Sequence, residues 1–138
     1  MMTIWKRTLS LSEMNQLCTN CAVGYLGIEF TAQGENWLEA TMPVDNRTTQ
    51  PMGLLHGGIS LALAETVGSL AGLLCLEEPH AAVGMDINAS HLRPVKSGKV
   101  TARATPLRLG KRTQVWQIDI RDEQENLCCT SRLTLSVI

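Results

Sequence analysis

The chain has 138 residues, 44% apolar and 18% charged, with a formal net charge of −1. That is enough for one domain (residues 1–138) with a real core; it excludes disorder and leaves no basic field to attract nucleic acid or an anionic membrane. The five cysteines are odd in number, with Cys128 and Cys129 adjacent, which fits a reducing, cytoplasmic setting better than a disulfide framework.

The opening residues lack the apolar stretch and small-residue cleavage site of a signal peptide. Ser10–Cys18 reads as a short helix, with Ser as N-cap and Glu13 in the first turn. Cys18-Thr-Asn-Cys21 has a CxxC spacing, but without a second pair it is poor evidence for zinc, and it lacks the strand-to-helix setting of a redox motif. Gly27–Ala32 and Trp37–Pro43 are strand-like and flank a hairpin signal, Gln33-Gly34-Glu35-Asn36. A polar loop over residues 45–58 then leads into an apolar helical run, Ile59–Leu76.

That run is long enough for a bilayer. Glu65 near its middle, Ser60, Thr66 and Ser69, and the lack of flanking basic clusters make it a core helix instead. Leu63, Val67, Leu70 and Leu74 recur at helical spacing and should pack on a sheet. Gly58, Ala62, Glu65, Gly68, Ser69 and Gly72 form a stripe of small residues around one carboxylate, a face open to a backbone or a second helix. Beyond the helix the period becomes two. Val83, Met85, Ile87, Ala89 and His91 form one phase; with Val100–Leu109, Trp116–Ile120 and Leu127–Val137 this gives four strands spaced as an antiparallel meander. The expected fold is therefore α+β, an antiparallel sheet wrapped around one long central helix.

Glu65 is the chemical oddity, since an ionised carboxyl among apolar residues needs a partner or a task. The second feature is His56-Gly57-Gly58, where the loop becomes helix and free backbone N–H groups can polarise a carbonyl. Gly57 and Glu65 lie roughly 12 Å apart along one helix axis, at ~1.5 Å per residue. Two groups so separated cannot reach one reacting atom. If both are catalytic, the protein should be a symmetric oligomer with Glu65 of one copy beside Gly57 of another.

Gln50-Pro-Met-Gly-Leu-Leu-His56-Gly57-Gly58, followed by Ala64-Glu65-Thr66, resembles the hotdog-fold acyl-CoA thioesterases, in the branch of the Arthrobacter-type 4-hydroxybenzoyl-CoA thioesterases. The likeness runs from Trp5 to Ile138. Ile4-Trp5-Lys6-Arg7, Glu39–Asp45, Val115–Ile118 and Cys128-Cys129 look closest to the subgroup of 1,4-dihydroxy-2-naphthoyl-CoA hydrolases and enterobactin proofreading thioesterases. The resemblance implies a hydrolase that releases a free acid and CoA, with no metal and no cofactor beyond the CoA of its substrate. It implies that Glu65 acts as nucleophile or as base for water, and that Gly57 N–H stabilises the oxyanion. It further implies that Gln50 meets the thioester, that His56 orients it or assists the departing thiolate, and that Ser69 sits near Glu65 and the water. A homodimer or homotetramer with sites at the subunit interface follows from the same likeness.

For the CoA end, Gly84, His91, Leu92, Arg93, Lys111 and Arg112 are candidates: the glycine to admit the pantetheine arm, the basic residues to meet phosphates. Leu70 stands near the expected acyl pocket. The best single substrate is 1,4-dihydroxy-2-naphthoyl-CoA, with misacylated aryl carrier protein as the alternative. More distant alternatives are a 3-hydroxyacyl thioester dehydratase and a non-catalytic acyl-CoA binder.

Overall fold

The computed structural model describes residues 3–138. Ser10 ends the extended N-terminal segment and opens helix α1 (Leu11–Leu17) with a reciprocal cap. Its hydroxyl accepts from Glu13 N–H at 3.1 Å, and the Glu13 carboxylate accepts from Ser10 N–H at 2.9 Å. A one-turn helix, α2 (Ala22–Tyr25), follows; nothing in its apolar pattern announced it. Asn15 fastens α1 to the sheet, its side chain exchanging hydrogen bonds of 2.8 and 3.1 Å with the backbone of Phe30.

Strands β1 (Glu29–Gln33) and β2 (Leu38–Pro43) form the expected hairpin. The long helix α3 (Gly57–Leu74) comes next, then β3 (Ala82–His91), β4 (Lys99–Leu109), β5 (Thr113–Arg121) and β6 (Leu127–Val137). All pairings are antiparallel, in the order β1-β2-β4-β5-β6-β3. The α+β class and the sheet around one central helix are as expected; the four-strand meander is not. Only β4, β5 and β6 are joined as a meander. β3 pairs with β6 at the far edge, because α3 lies across one face of the sheet and carries the chain to the side opposite β2.

Helix α3 packs against β2 through β6. Leu63, Val67 and Leu74 are fully buried in the core with Trp116, Ile118, Ile120, Leu133 and Leu135, each burial contributing about 2 kcal/mol. This helix meets the length and hydropathy expected of a membrane span, but its apolar side is the centre of the core. Two details of its faces differ from the sequence pattern. Leu70 is only half-buried and lines a cavity rather than the sheet. Gly68 and Gly72 belong to the sheet side: a Cβ at Gly68 would stand 2.6 Å from Leu133, and one at Gly72 would collide with Leu135. The small residues there admit the sheet's leucines, not a second helix.

Strand β3 also departs from a clean alternation. Gly84 pairs with Leu135 and Asp86 with Thr134, leaving Met85 as the extra residue of a bulge. The bulge resets the phase. Ala82, Gly84, Ile87, Ala89 and His91 face the α3 side, whereas Val83 and Met85 are exposed at 46% and 61%.

Candidate active site

Glu65 lies on the flank of α3 next to the start of β3, with its carboxylate directly against Gly84. Any Cβ at position 84 would overlap the carboxylate oxygen Oε2. Among the described residues, no salt bridge or side-chain hydrogen bond engages this carboxylate. Glu65, Thr66 and Ser69 border a cavity of about 570 Å3 whose other walls are largely apolar, from Leu17, Cys18, Val23, Phe30, Leu70 and Leu73. Thr66 turns its hydroxyl back to the Ala62 carbonyl at 2.7 Å, so it does not compete for Glu65. The Ser69 hydroxyl is one helical turn away, on the same wall.

The first turn of α3 borders a different cavity, of about 360 Å3, lined by Gln50, Gly57, Ser60, His91, Leu92, Arg93, Cys128 and Cys129 among others. The loop that supplies Gln50 is well braced. Buried Thr48 donates from its hydroxyl to the Pro43 carbonyl at 2.8 Å and accepts from Asp45 N–H at 3.0 Å. Thr49 bridges Leu55, and Leu55 N–H donates to the Val95 carbonyl at 2.8 Å. At the tip, Met52 N–H donates to Gln50 Oε1. An N–H needs an acceptor, so that bond sets the amide orientation and leaves the Gln50 Nε2 hydrogens to donate elsewhere.

His56 is the N-cap of α3. Its Nδ1 accepts from Ile59 N–H at 3.3 Å, which places the proton of the neutral ring on Nε2. The backbone N–H of Ser60 is spent on the His56 carbonyl at 3.0 Å, whereas those of Gly57 and Gly58 have no partner within the described residues. His56 is exposed and outside the cavity lining; the histidine that borders Gly57 is His91. A Cβ at Gly57 would stand 3.0 Å from His91 Nε2, so the absence of a side chain there is what lets the imidazole sit over the helix start. Gly57 was conspicuous from the helix start and Gln50 came from the resemblance; the approach of His91 was not readable from spacing.

Cys128 and Cys129 do not supply a thiolate. Burial, the largest influence, pushes the Cys129 thiol up to about 11, and it raises Cys128 as well. Among the described residues, no group of three His, Cys, Asp or Glu side chains could hold a metal ion.

The six candidates for the CoA end do not gather in one place. His91, Leu92 and Arg93 border the Gly57 cavity, and Gly84 borders Glu65. Lys111 and Arg112 form the β4–β5 hairpin tip, where the Arg112 carbonyl accepts from Val137 N–H at 2.9 Å. Because His91 pairs with Cys129, the tip and His91 are separated along β6 by eight residues, or roughly 27 Å. Within one chain they cannot grip the same phosphate. A third cavity, of about 480 Å3, lies on the sheet face away from α3 around the ion pair Arg103–Glu39, with Asp119 and Arg121; it has no connection to Glu65 or Gly57.

A family model described as the thioesterase superfamily matches residues 52–129. A crystal structure of a thioesterase from Haemophilus influenzae superposes with a TM-score of 0.97 at 69% identity, covering 99% of this chain and 95% of that one. A 1,4-dihydroxy-2-naphthoyl-CoA hydrolase of Escherichia coli is 52% identical over 98% of this chain and 99% of its own length. A proofreading thioesterase, EntH, of Cronobacter turicensis is 52% identical over 98% of each chain.

Proposed function

The chain belongs to the thioesterase superfamily and is a thioester hydrolase of hotdog fold, and we propose that its substrate is an aromatic acyl-CoA, with 1,4-dihydroxy-2-naphthoyl-CoA the best single choice. The observation that carries the mechanism is the division of the machinery: the acid and the free backbone donors sit in separate cavities at opposite ends of β3. β3 is an edge strand, with one side of its backbone unpaired. Gly84 marks the Glu65 end and His91 the Gly57 end. Antiparallel pairing of two β3 strands about a two-fold axis near residues 87 and 88 would set Gly84 of one copy against His91 of the other. Glu65 of one subunit would then face Gly57 and Gln50 of its neighbour, giving two equivalent sites per dimer. Two dimers could pair further into a tetramer.

In that composite site Gly57 N–H and the Gln50 amide donate to the thioester carbonyl oxygen, where negative charge develops. Glu65 either attacks the carbonyl carbon or takes a proton from the water that does; Ser69 holds that water. The carbon–sulfur bond breaks, the thiolate of CoA leaves and acquires a proton, and water supplies the second oxygen of the free acid. His56 offers its Nε2–H at the helix entrance to the departing sulfur. The chemistry needs no metal. His91, Leu92 and Arg93 receive the pantetheine and phosphate end; Lys111 and Arg112 can serve the same CoA only from the other subunit. The enzyme would work in the cytoplasm, where CoA thioesters are made.

The equal identity to a proofreading thioesterase favours a second reading, hydrolysis of misacylated aryl carrier protein. Thiol-release assays with aroyl-CoA, aliphatic acyl-CoA and aryl carrier protein separate the two; the aroyl-CoA is expected to give the highest kcat/KM. The shared site has its own test. Glu65→Gln and Gln50→Ala, each inactive alone, should regain about a quarter of the wild-type sites after subunit exchange. No recovery in mixed dimers would overturn the composite site. Single turnover in 18O-water distinguishes the two roles of Glu65, since only nucleophilic attack leaves label in its carboxylate.

A further inference from the structure

The turn between α1 and α2 carries Cys18 and Cys21, to which the sequence pattern assigned no task. The Cys21 thiol donates to the Cys18 carbonyl at 3.4 Å, and Gly24 N–H donates to the same oxygen at 2.9 Å, so the turn closes on itself and brings the Cys21 thiol against the Cys18 backbone. Their environments differ. Cys21 is exposed, whereas Cys18 is half-buried and forms part of the wall of the Glu65 cavity. Burial raises the Cys18 thiol above its ordinary range, and the neighbouring Cys21 raises it further, consistent with their proximity. The remaining three cysteines, Cys75, Cys128 and Cys129, are buried.

We propose that Cys18 and Cys21 form a peroxide-sensitive dithiol, whose closure to a disulfide withdraws Cys18 from the cavity wall and weakens binding of the acyl group. The assignment of that cavity to the acyl group rests on the function proposed above; the disulfide itself does not. The exposed Cys21 attacks hydrogen peroxide, breaking the O–O bond to give a sulfenic acid and one water. Cys18 then attacks the Cys21 sulfur, the S–O bond breaks, and a second water leaves with the proton of the Cys18 thiol. Two thiols are oxidised and one peroxide is reduced. Cys18 shares that cavity lining with Leu70 and Leu73, and with Glu65 and Ser69 as well, and is absent from the Gly57 cavity, so the loss is expected in binding of the acyl group.

The test treats the intact protein briefly with hydrogen peroxide and reads mass and kinetics together. Trypsin releases both cysteines, and no others, in the peptide from Thr8 to Arg47. That peptide should lose the mass of two hydrogen atoms. KM for an aroyl-CoA should rise severalfold, and dithiothreitol should restore it. Cys21→Ser should show the starting KM before and after peroxide. Oxygen added at Cys21 with Cys18 still reduced, no change in the peptide, or a disulfide that leaves KM unmoved would each overturn the proposal. Failure of the acyl-pocket reading is seen separately, as full turnover in Glu65→Gln without any peroxide.

Discussion

At its first turn α3 offers donors and no acid: two glycine N–H groups without a partner among the described residues, with the Gln50 amide and His91 beside them. Two turns further on, the same helix offers an acid and no free backbone donor, with Glu65 against Gly84, unpaired among the described residues, and largely apolar walls around it. The donor end is held by braced backbone and tolerates solvent. The acid end keeps its carboxylate between a glycine and an oily cavity. Neither cavity holds both the acid and the free backbone donors, and one helix cannot fold back to join them. The contrast is what the proposed two-subunit site rests on: the acid and the donors would meet only between copies.

The largest effect that could break this contrast is at the acid. Glu65→Gln removes the one carboxylate that lines that cavity among the described residues and should lower kcat by about 1,000-fold, read by thiol release; wild-type turnover would place the chemistry elsewhere. Next comes the glycine that the carboxylate rests on. Gly84→Ala puts a Cβ where Glu65 Oε2 lies, so the acid must move, and kcat should fall by about 100-fold. An unchanged circular dichroism spectrum would show the loss to be positional. At the donor end, Gly57→Ala meets His91 Nε2 at 3.0 Å, which the imidazole can relieve by turning. A loss of about 10-fold in kcat/KM is expected, and the same substitution in a His91→Ala background should be nearly silent. Equal losses in both backgrounds would remove His91 from that contact.

The smallest effect concerns stability. Burial pushes the Cys75 thiol, just past the end of α3, up to about 12, and the Cys129 thiol to about 11, from an ordinary value of 9.0. Folding keeps these thiols protonated after the unfolded chain has released its protons. Stability is therefore fully present below pH 9 and is lost as pH rises from there toward 12. Urea midpoints measured across that window should fall less steeply for Cys75→Ala than for the parent chain. Parallel slopes would remove Cys75 as a contributor.

Much of this was legible in the chain. The Ser10 cap, the β1–β2 hairpin, the core helix and the period-two strands other than the bulged β3 follow from local rules that the structure obeys. Glu65 and Gly57 were conspicuous for the same reason, since a lone carboxylate in an apolar helix and glycines at a helix start violate what packing alone would choose. The faces of α3 were less legible. Leu70 has the spacing of a core residue, yet Gly68 and Gly72 take the sheet side because Leu133 and Leu135 need their space. Helical periodicity orders residues around an axis without saying where the neighbouring sheet begins.

By itself, then, the sequence determined most of the elements and the placing of Glu65 and Gly57 two turns apart on one helix, because each depends on the geometry of one short segment. The tertiary structure alone decided what those residues meet. The bulge at Met85 turns Gly84 inward to receive Glu65, which an unbroken alternation would have kept on the phase opposite Ile87 and His91. The path of β3 to the far edge likewise sets His91 over Gly57 and leaves Lys111 and Arg112 at the other end of the sheet. Bulges and strand order are set by which long-range pairing buries the most surface without leaving backbone groups unpaired, and no window of neighbouring residues contains that information.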